Sequence, residues 1–580
     1  MLPSGQTLPH ILAHHLEATP DHTAVVLVTG SGEQHLSIRE LLTGAWAYCG
    51  MYSESGVQAG DTVVDLLPPG ADLLFAFLGG ILLGAVPCIL PFPTEKLDPV
   101  RYRENLIALM QVTHPAALVA EPGLASELRG TLPQDPALKA IIGSGGGDQA
   151  GAGGAAPERW EGLTRSPKDL ALLQHSSGTT GLQKGVALSH SSILNQVSAY
   201  APSLRLAPED VIVSWLPLYH DMGLIAGFLL PLLTGIKLVL LSPFDWIRAP
   251  WVLMQAVSRH RGTLVWLPNF AFNLCADRIP DSRLKGLDLS SWRAVINCSE
   301  PMYANSHQMF SDRFLENGMK AQALTTCYAM AENVFAVTQG PVDKPVSIDK
   351  VDSEALARDG LAEPTSLGSR RVVEVVSAGP QLPNCSVRAI GKNGQEVGER
   401  QVGELALQSD CMLSGYFNRP DATDIALRDS WFYTGDLGYI ADGEVYITGR
   451  RKDLMIIGGK NVYPQDIEHL IDGVPGVNPG RAVVFGIADK ELGTEQAVAI
   501  VEVNPRHPRT EQVLGLEIRR AVAAGSEITL RYVETVGERW LIKTSSGKLA
   551  RAANREKFLA EQAGSRAGPE PSGDREPDVE

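Results

Sequence analysis

Short runs rich in Val, Ile and Leu recur along the chain, separated by stretches whose apolar residues fall at helical spacing. That alternation predicts α/β layers. Asp169-Leu170-Ala171-Leu172-Leu173 reads as a strand. Leu73 to Leu90 carries no charge, and Met222 to Leu241 carries only Lys237. By length each of these two could cross a membrane. Gly79, Gly80, Gly84 and Pro87 break the first, however, and Pro231 and Gly235 break the second. Each therefore predicts an apolar helix, a glycine turn and a buried strand, the pattern of a parallel sheet covered on both faces. Gly143 to Pro157 (GSGGGDQAGAGGAAP) has too few side chains to bury anything and predicts a flexible loop. The Pro/Gly-rich acidic stretch from Gln562 predicts a disordered tail. No internal repeat is present.

Composition narrows the class. A chain of 580 residues is too long for one core and predicts at least two domains. With 66 acidic against 50 basic residues the net charge is −16, which argues against a nucleic-acid or membrane-surface binder. Cys49, Cys88, Cys275, Cys298, Cys327, Cys385 and Cys411 show no paired spacing for zinc or a disulfide framework, so a reducing cytoplasm is expected. The N-terminus lacks a basic region followed by an apolar core, so no signal peptide is expected.

The densest chemistry lies directly after the Asp169–Leu173 run. Gln174-His175-Ser176-Ser177-Gly178-Thr179-Thr180-Gly181-Leu182-Gln183-Lys184-Gly185 puts hydroxyls, three glycines and one lysine into twelve residues. Glycines let the backbone turn its N–H groups toward an anion, and the hydroxyls and Lys184 add donors and charge. The segment suits phosphate. It is not a Walker loop, because Gly185 follows Lys184 where Ser or Thr would be needed and the glycine spacing differs. Standing alone, it is equally well read as a Gly/Ser surface loop.

Four further phrases follow in order: Tyr328-Ala329-Met330-Ala331-Glu332, Trp431-Phe432-Tyr433-Thr434-Gly435-Asp436, Thr448-Gly449-Arg450-Arg451-Lys452-Asp453, and Lys543-Thr544-Ser545-Ser546-Gly547-Lys548. Together with the Gly-rich loop they resemble the adenylate-forming superfamily of acyl-CoA synthetases, fatty acyl-AMP ligases, peptide-synthetase adenylation domains and luciferases. The resemblance runs from about residue 10 to 558. It implies a large N-terminal domain, residues 1–451, of doubly wound sheets plus a distorted barrel. A small mobile α+β domain, residues 452–561, would follow, with 562–580 as the tail. Lys452 stands at the family's hinge, where a residue must tolerate a large backbone rotation.

The same resemblance implies roles. Ser176, Thr179, Thr180 and Lys184 would hold the β- and γ-phosphates of ATP. Glu332 would ligate Mg2+, a hard cation that prefers oxygen donors. Tyr328 would flank the adenine. Asp436 would accept hydrogen bonds from the ribose hydroxyls, with Arg450 beside it on ribose or phosphate. Lys548 resembles the lysine that swings in to bridge the carboxylate and the α-phosphate. Within Trp215-Leu216-Pro217-Leu218-Tyr219-His220-Asp221-Met222-Gly223-Leu224-Ile225, His220 would orient the incoming carboxylate and the apolar residues after it would line an acyl tunnel. Ala329 departs from the pattern, standing where most relatives have glycine. The extra methyl is either neutral or narrows the nucleotide site.

Phrase by phrase the chain looks most like the fatty acyl-AMP ligase branch. The evidence is Trp215 to Ile225, Ser377-Ala378-Gly379-Pro380, Gly458 to Glu468, and the long connection from Gly340 to Gln401, which resembles the segment that branch inserts. Phe244-Asp245 does not read as an amino-acid site, because Ser242-Pro243 before it and Pro250 after it look like a helix start. The expectation is an ATP- and Mg2+-dependent enzyme that converts an apolar, fatty-acid-like carboxylic acid to its adenylate. The acyl group would then pass to CoA or to the phosphopantetheine of an acyl carrier protein. Two alternatives stay open: an enzyme that only makes thioester from acyl-AMP supplied elsewhere, and a non-catalytic binder of acyl-adenylate or carrier protein.

Overall fold

The structure is a computed structural model; it describes residues 5–30, 32–94, 99–145, 157–176, 184–365, 372–489, 494–503, 510–526, 528–544 and 548–566. The described residues fall into two compact units, one ending at Arg451 and the other beginning at Lys452.

The larger unit is organised by a sheet of eight strands. Its order is Ala336–Gln339, Leu324–Ala329, Ala294–Cys298, Leu264–Leu267, Val211–Ser214, Lys237–Leu241, Thr23–Thr29 and Gly32–Ser37. The six central strands run parallel, and the outer two are antiparallel to their neighbours. The central strands Ala294–Cys298, Leu264–Leu267 and Val211–Ser214 are buried along their whole length, as strands covered on both faces must be. Because the six are parallel, their C-terminal ends share one edge. A second, four-stranded parallel sheet has the order Val86–Ile89, Thr62–Leu66, Ala117–Ala120 and Ala140–Gly143.

Both long apolar segments fold as the sequence predicts. Helix Ala71–Leu83 ends at Gly84, whose φ of 80° gives the left-handed turn into strand Val86–Ile89. The second begins as a π-helix over Met222–Leu229, continues as an α-helix through Pro231 to Thr234, and turns at Gly235 into strand Lys237–Leu241. No helix among the described residues is long and apolar enough to cross a membrane. Helix Pro243–Arg248 starts at Ser242, whose hydroxyl accepts from the Asp245 N–H.

A seven-stranded antiparallel sheet stands where a distorted barrel is expected. Its strand order is open, from Ile348–Asp352 at one edge to Cys385–Ile390 at the other. Strands Trp431–Ala441 and Glu444–Arg450 lie at its centre. The connection from Gly340 to Gln401 supplies three of its strands, Ile348–Asp352, Val372–Pro380 and Cys385–Ile390, and the helix Ser353–Asp359 among its described residues. A three-stranded sheet pairs Gly415–Tyr416 with Lys184–Ser189, and that strand with Leu170–Ser176.

The smaller unit is α+β. Strand Val477–Asp489 pairs antiparallel with Thr494–Val503, which pairs parallel with Leu530–Val536. Helices Pro464–Asp472 and Glu511–Gly525 join a separate apolar core containing Ile467, Ile471, Leu514, Ile518 and Val522. The last helix runs Arg551–Arg566, so ordered structure passes Gln562, where composition places the start of the tail. The reason is local. Phe558 is buried against Phe485 and Tyr532, and Gln562 donates to Glu534 at 2.9 Å. These contacts carry the helix into a segment that is unpromising by composition. Residues 567–580 and most of the Gly143–Pro157 stretch lie outside the described residues.

Candidate active site

The shared C-terminal edge of the six parallel strands is where ligands bind in open α/β sheets, because loops leaving adjacent strands diverge there. Strand Leu324–Ala329 delivers Tyr328 to that edge and Glu332 just beyond it. Strand Val211–Ser214 delivers Trp215 and, six residues past its end, His220.

Asp436 and Arg450 face each other across the antiparallel pair formed by Trp431–Ala441 and Glu444–Arg450. Arg450 Nε lies 3.2 Å from Asp436 Oδ1, and the carboxylate is nearly buried while the guanidinium is half exposed. The Tyr328 phenol donates to Asp436 Oδ2 at 2.7 Å. Burial pushes that phenol's pKa well up, and the Asp436 charge adds to the effect. The Asp436 N–H donates to Thr434 Oγ1 at 3.0 Å, across Gly435, whose φ of 74° closes the turn. The Thr-Gly-Asp turn thus presents an oriented carboxylate beside a phenol ring and a cation.

A second group forms around Glu332. Tyr416 donates to Glu332 Oε1 at 2.8 Å, and Lys184 Nζ lies 4.5 Å from the centre of the Tyr416 ring, within cation–π range. Burial raises the Glu332 pKa, and the Tyr416 hydrogen bond opposes the rise. Among the smaller influences, the Asp221 charge raises it further and Arg450 lowers it. Glu332, Arg450 and Asp221 therefore share one electrostatic neighbourhood, which Tyr416 joins to Lys184. Glu332 is held in the short helix Ala331–Asn333. Immediately after it Val334 takes φ 62° and ψ −56°, with the Phe335 N–H donating to the Asn333 carbonyl at 2.6 Å. That is a γ-turn of the rare positive-φ kind, costly for a β-branched residue.

Past the end of strand Val211–Ser214, His220 Nδ1 lies 2.7 Å from Asp221 Oδ1, which also accepts from the Met222 N–H at 2.8 Å. The imidazole is anchored through Nδ1. The π-helix follows directly, a form that recurs at functional sites. Gly223 allows it, since a Cβ there would meet the Pro217 carbonyl oxygen at 2.1 Å. Trp215 stacks on Trp246 with ring centres 3.6 Å apart, and Phe270 packs edge-on against both.

Of the residues singled out from sequence, Tyr328, Asp436 and Arg450 come together, as do Lys184 and Glu332. Thr179 and Thr180 lie outside the described residues, and of Ser176 only the backbone is described, paired with Lys184. Ala329 has no positive φ, so its backbone does not require glycine. It pairs with Ala336 at a bulge. Lys452 and Lys548 both belong to the smaller unit. On either side of Lys452 the chain is tied down within its own unit: the Arg451 N–H donates to the Gly435 carbonyl at 2.9 Å, and Asp453 pairs with the half-buried Arg551 at 2.8 Å. Lys548 closes a small loop, its carbonyl accepting from the Thr544 N–H at 2.8 Å.

Tyr416 is the residue that sequence reasoning missed. Its only local signal is the Gly415 before it. Its importance comes from register, Tyr416 opposite Val186 and Gly415 opposite Ala187, which brings it beside Lys184.

With this geometry in place, the comparisons are direct. A family model described as AMP-binding enzyme matches residues 12–417. A long-chain-fatty-acid–AMP ligase of Mycobacterium bovis is 28% identical, covering 96% of this chain and 98% of that protein. A 4-hydroxyphenylalkanoate adenylyltransferase of the same organism is 29% identical over 87% of this chain and 83% of its own length. A solved structure from work on fatty acyl-adenylate ligases of E. coli and L. pneumophila superimposes with a TM-score of 0.87 at 27% identity, covering 97% of this chain and 98% of that one.

Proposed function

Because the chain belongs to the AMP-binding enzyme family, we propose that it activates an apolar carboxylic acid as its acyl-adenylate at the expense of ATP. The observation that carries this reading is the convergence of Tyr328, Asp436 and Arg450 on one side and Lys184, Tyr416 and Glu332 on the other, at the C-terminal edge of the parallel sheet. The adenine would lie against Tyr328 and the ribose hydroxyls would bond to Asp436. Lys184 and the hydroxyls of Ser176, Thr179 and Thr180 would hold the β- and γ-phosphates.

In the reaction a carboxylate oxygen attacks the α-phosphorus, the bond to the bridging oxygen of the β-phosphate breaks, and pyrophosphate leaves. Both partners are anions, so the protein's task is to position them and offset charge that concentrates in the transition state. His220, fixed by Asp221, would orient the acid. Lys548 would reach between carboxylate and α-phosphate. Glu332 fits a magnesium site: it is a half-buried carboxylate that accepts a hydrogen bond from Tyr416 and forms no ion pair among the described residues. One or two carboxylates completed by substrate phosphates are what Mg2+ uses. When bound, the ion would neutralise phosphate charge.

In a second step a thiol would attack the acyl carbon, forming the thioester and releasing AMP, with the thiol proton passing to solvent. The thiol would be CoA or a carrier-protein phosphopantetheine. Rotation about Lys452 would remove Lys548 between the two steps. The relatives' activities toward long-chain fatty acids and 4-hydroxyphenylalkanoates mark the range of acids to try. The test is ATP–pyrophosphate exchange over alkyl and aryl acids, with and without CoA. Exchange with at least one acid is expected. No exchange with any acid, together with thioester made from supplied acyl-AMP, would replace this reading with the thioester-only one.

A further inference from the structure

Gln174 links the phosphate strand to the acid side of the site. On strand Leu170–Ser176 it pairs with Val186, and Ser176 pairs with Lys184. Residues two apart on a strand share a face, so Gln174 lies on the face where Lys184 meets Tyr416. His175, between them, turns to the opposite face. Gln174 is 2% exposed. Its Nε2 donates to the backbone carbonyl of Tyr219 at 3.0 Å, across 45 residues of sequence. That carbonyl belongs to the peptide leading directly into His220.

The other end of the amide argues against a purely structural role. Gln174 Oε1 is buried and has no hydrogen-bond partner among the described residues. The amide cannot flip to satisfy it, because that would set oxygen against the Tyr219 carbonyl oxygen. An unpaired buried acceptor is a cost that a residue kept only to fill the core need not carry. Met or Leu would fill the space without that cost.

We infer that Gln174 is a positioning residue for the acid: its amide fixes the Tyr219–His220 peptide, while Asp221 fixes the His220 ring. The histidine is then clamped from both sides, by the phosphate strand behind it and by the π-helix N-terminus ahead of it. The inference rests on the proposed role of His220 toward the carboxylate. It adds that seating of the acid is coupled mechanically to the strand that carries the phosphate-binding segment.

The test is a double-mutant cycle in pyrophosphate exchange with the best acid substrate, using Gln174→Leu, His220→Ala and the combination. Gln174→Leu should lower kcat/KM for the acid by about ten- to a hundredfold, the usual scale for ångström-level misplacement of a reacting group. KM for ATP should move less than about threefold, as the backbone of the strand is untouched. In the His220→Ala background the same change should cost less than about twofold, the limit within which independent effects are indistinguishable from none. Equal losses toward ATP and acid, or full additivity with His220→Ala, would overturn the inference. If His220→Ala itself leaves acid kinetics unchanged, the role assigned to His220 fails instead. Gln174→Met keeps the length and removes both polar ends, so it gives the same reading if the Leu variant does not purify folded.

Discussion

The Tyr328 phenol donates to Asp436 at 2.7 Å although the two residues stand 108 positions apart. The bond joins the end of a parallel strand to the centre of the antiparallel sheet. With Arg450 on the other carboxylate oxygen, it sets the direction in which Asp436 can accept from a ligand.

Asp436→Ala should therefore weaken nucleotide binding specifically. Loss of hydrogen bonds to an ionised group is worth about 1.5–3 kcal/mol, which corresponds to a KM for ATP raised by about ten- to a hundredfold. Pyrophosphate exchange at varied ATP measures it, and an unchanged KM would remove Asp436 from the nucleotide site.

Glu332 must be ionised to hold a cation, and burial already raises its pKa while Tyr416 holds it down. Tyr416→Phe keeps the ring under Lys184 but deletes the donor, so the Glu332 pKa rises further. Activity that needs the carboxylate is lost as pH falls through that pKa. The acidic limb of the kcat/KM profile, which reports the free enzyme, should move to higher pH in the variant. A limb that stays in place or moves down would separate Tyr416 from Glu332 function.

Lys548→Ala should depress adenylation by about 10²–10³-fold, typical for a lost transition-state contact, with the fold retained by circular dichroism. Wild-type exchange rates would show that the lysine has no part in the first step.

Lys452→Pro locks one φ angle at a residue whose two neighbours are already tied within their own units. Pyrophosphate exchange should persist, while acyl transfer to the thiol, followed as thioester product, should fall by about tenfold or more, as expected when a hinge gates a later step. Equal effects on both half-reactions would argue against rotation there.

Asp65 is fully buried on strand Thr62–Leu66, with Tyr52 at 3.5 Å and one oxygen without a partner among the described residues. Burial raises its pKa well above the ordinary carboxylate range. The folded state therefore binds the proton more tightly than the unfolded chain. The stability this contributes is full below the unfolded pKa of about 3.9 and is lost as pH rises toward the folded value. Asp65→Asn removes that penalty. Its melting temperature should exceed the parent's by about 2–4 °C near pH 8, and the gap should close by pH 4. A gap independent of pH would mean that Asp65 is not the titrating group.

Much of the architecture was legible in the residues themselves. Leu73 to Leu90 and Met222 to Leu241 declared helix, glycine turn and buried strand, because burial of both sheet faces leaves no room for polar side chains and a left-handed turn needs glycine. The family membership was legible too, since short phrases such as Tyr433-Thr434-Gly435-Asp436 carry both their turn chemistry and their order along the chain. The helix through Gln562 was not, because the contacts of Phe558 and Gln562 with Phe485, Tyr532 and Glu534 lie outside any local window.

What the sequence determined by itself is the set of elements and the chemical kinds available: strands and helices follow from local periodicity, and a carboxylate or a lysine is the same group wherever the chain carries it. What only the tertiary structure decided is which of these meet. Tyr416 comes beside Lys184, and Gln174 reaches the Tyr219 carbonyl, through strand register and sheet order. Both are set by the packing of the whole core, because a shift of one residue in register would turn each of those side chains to the opposite face.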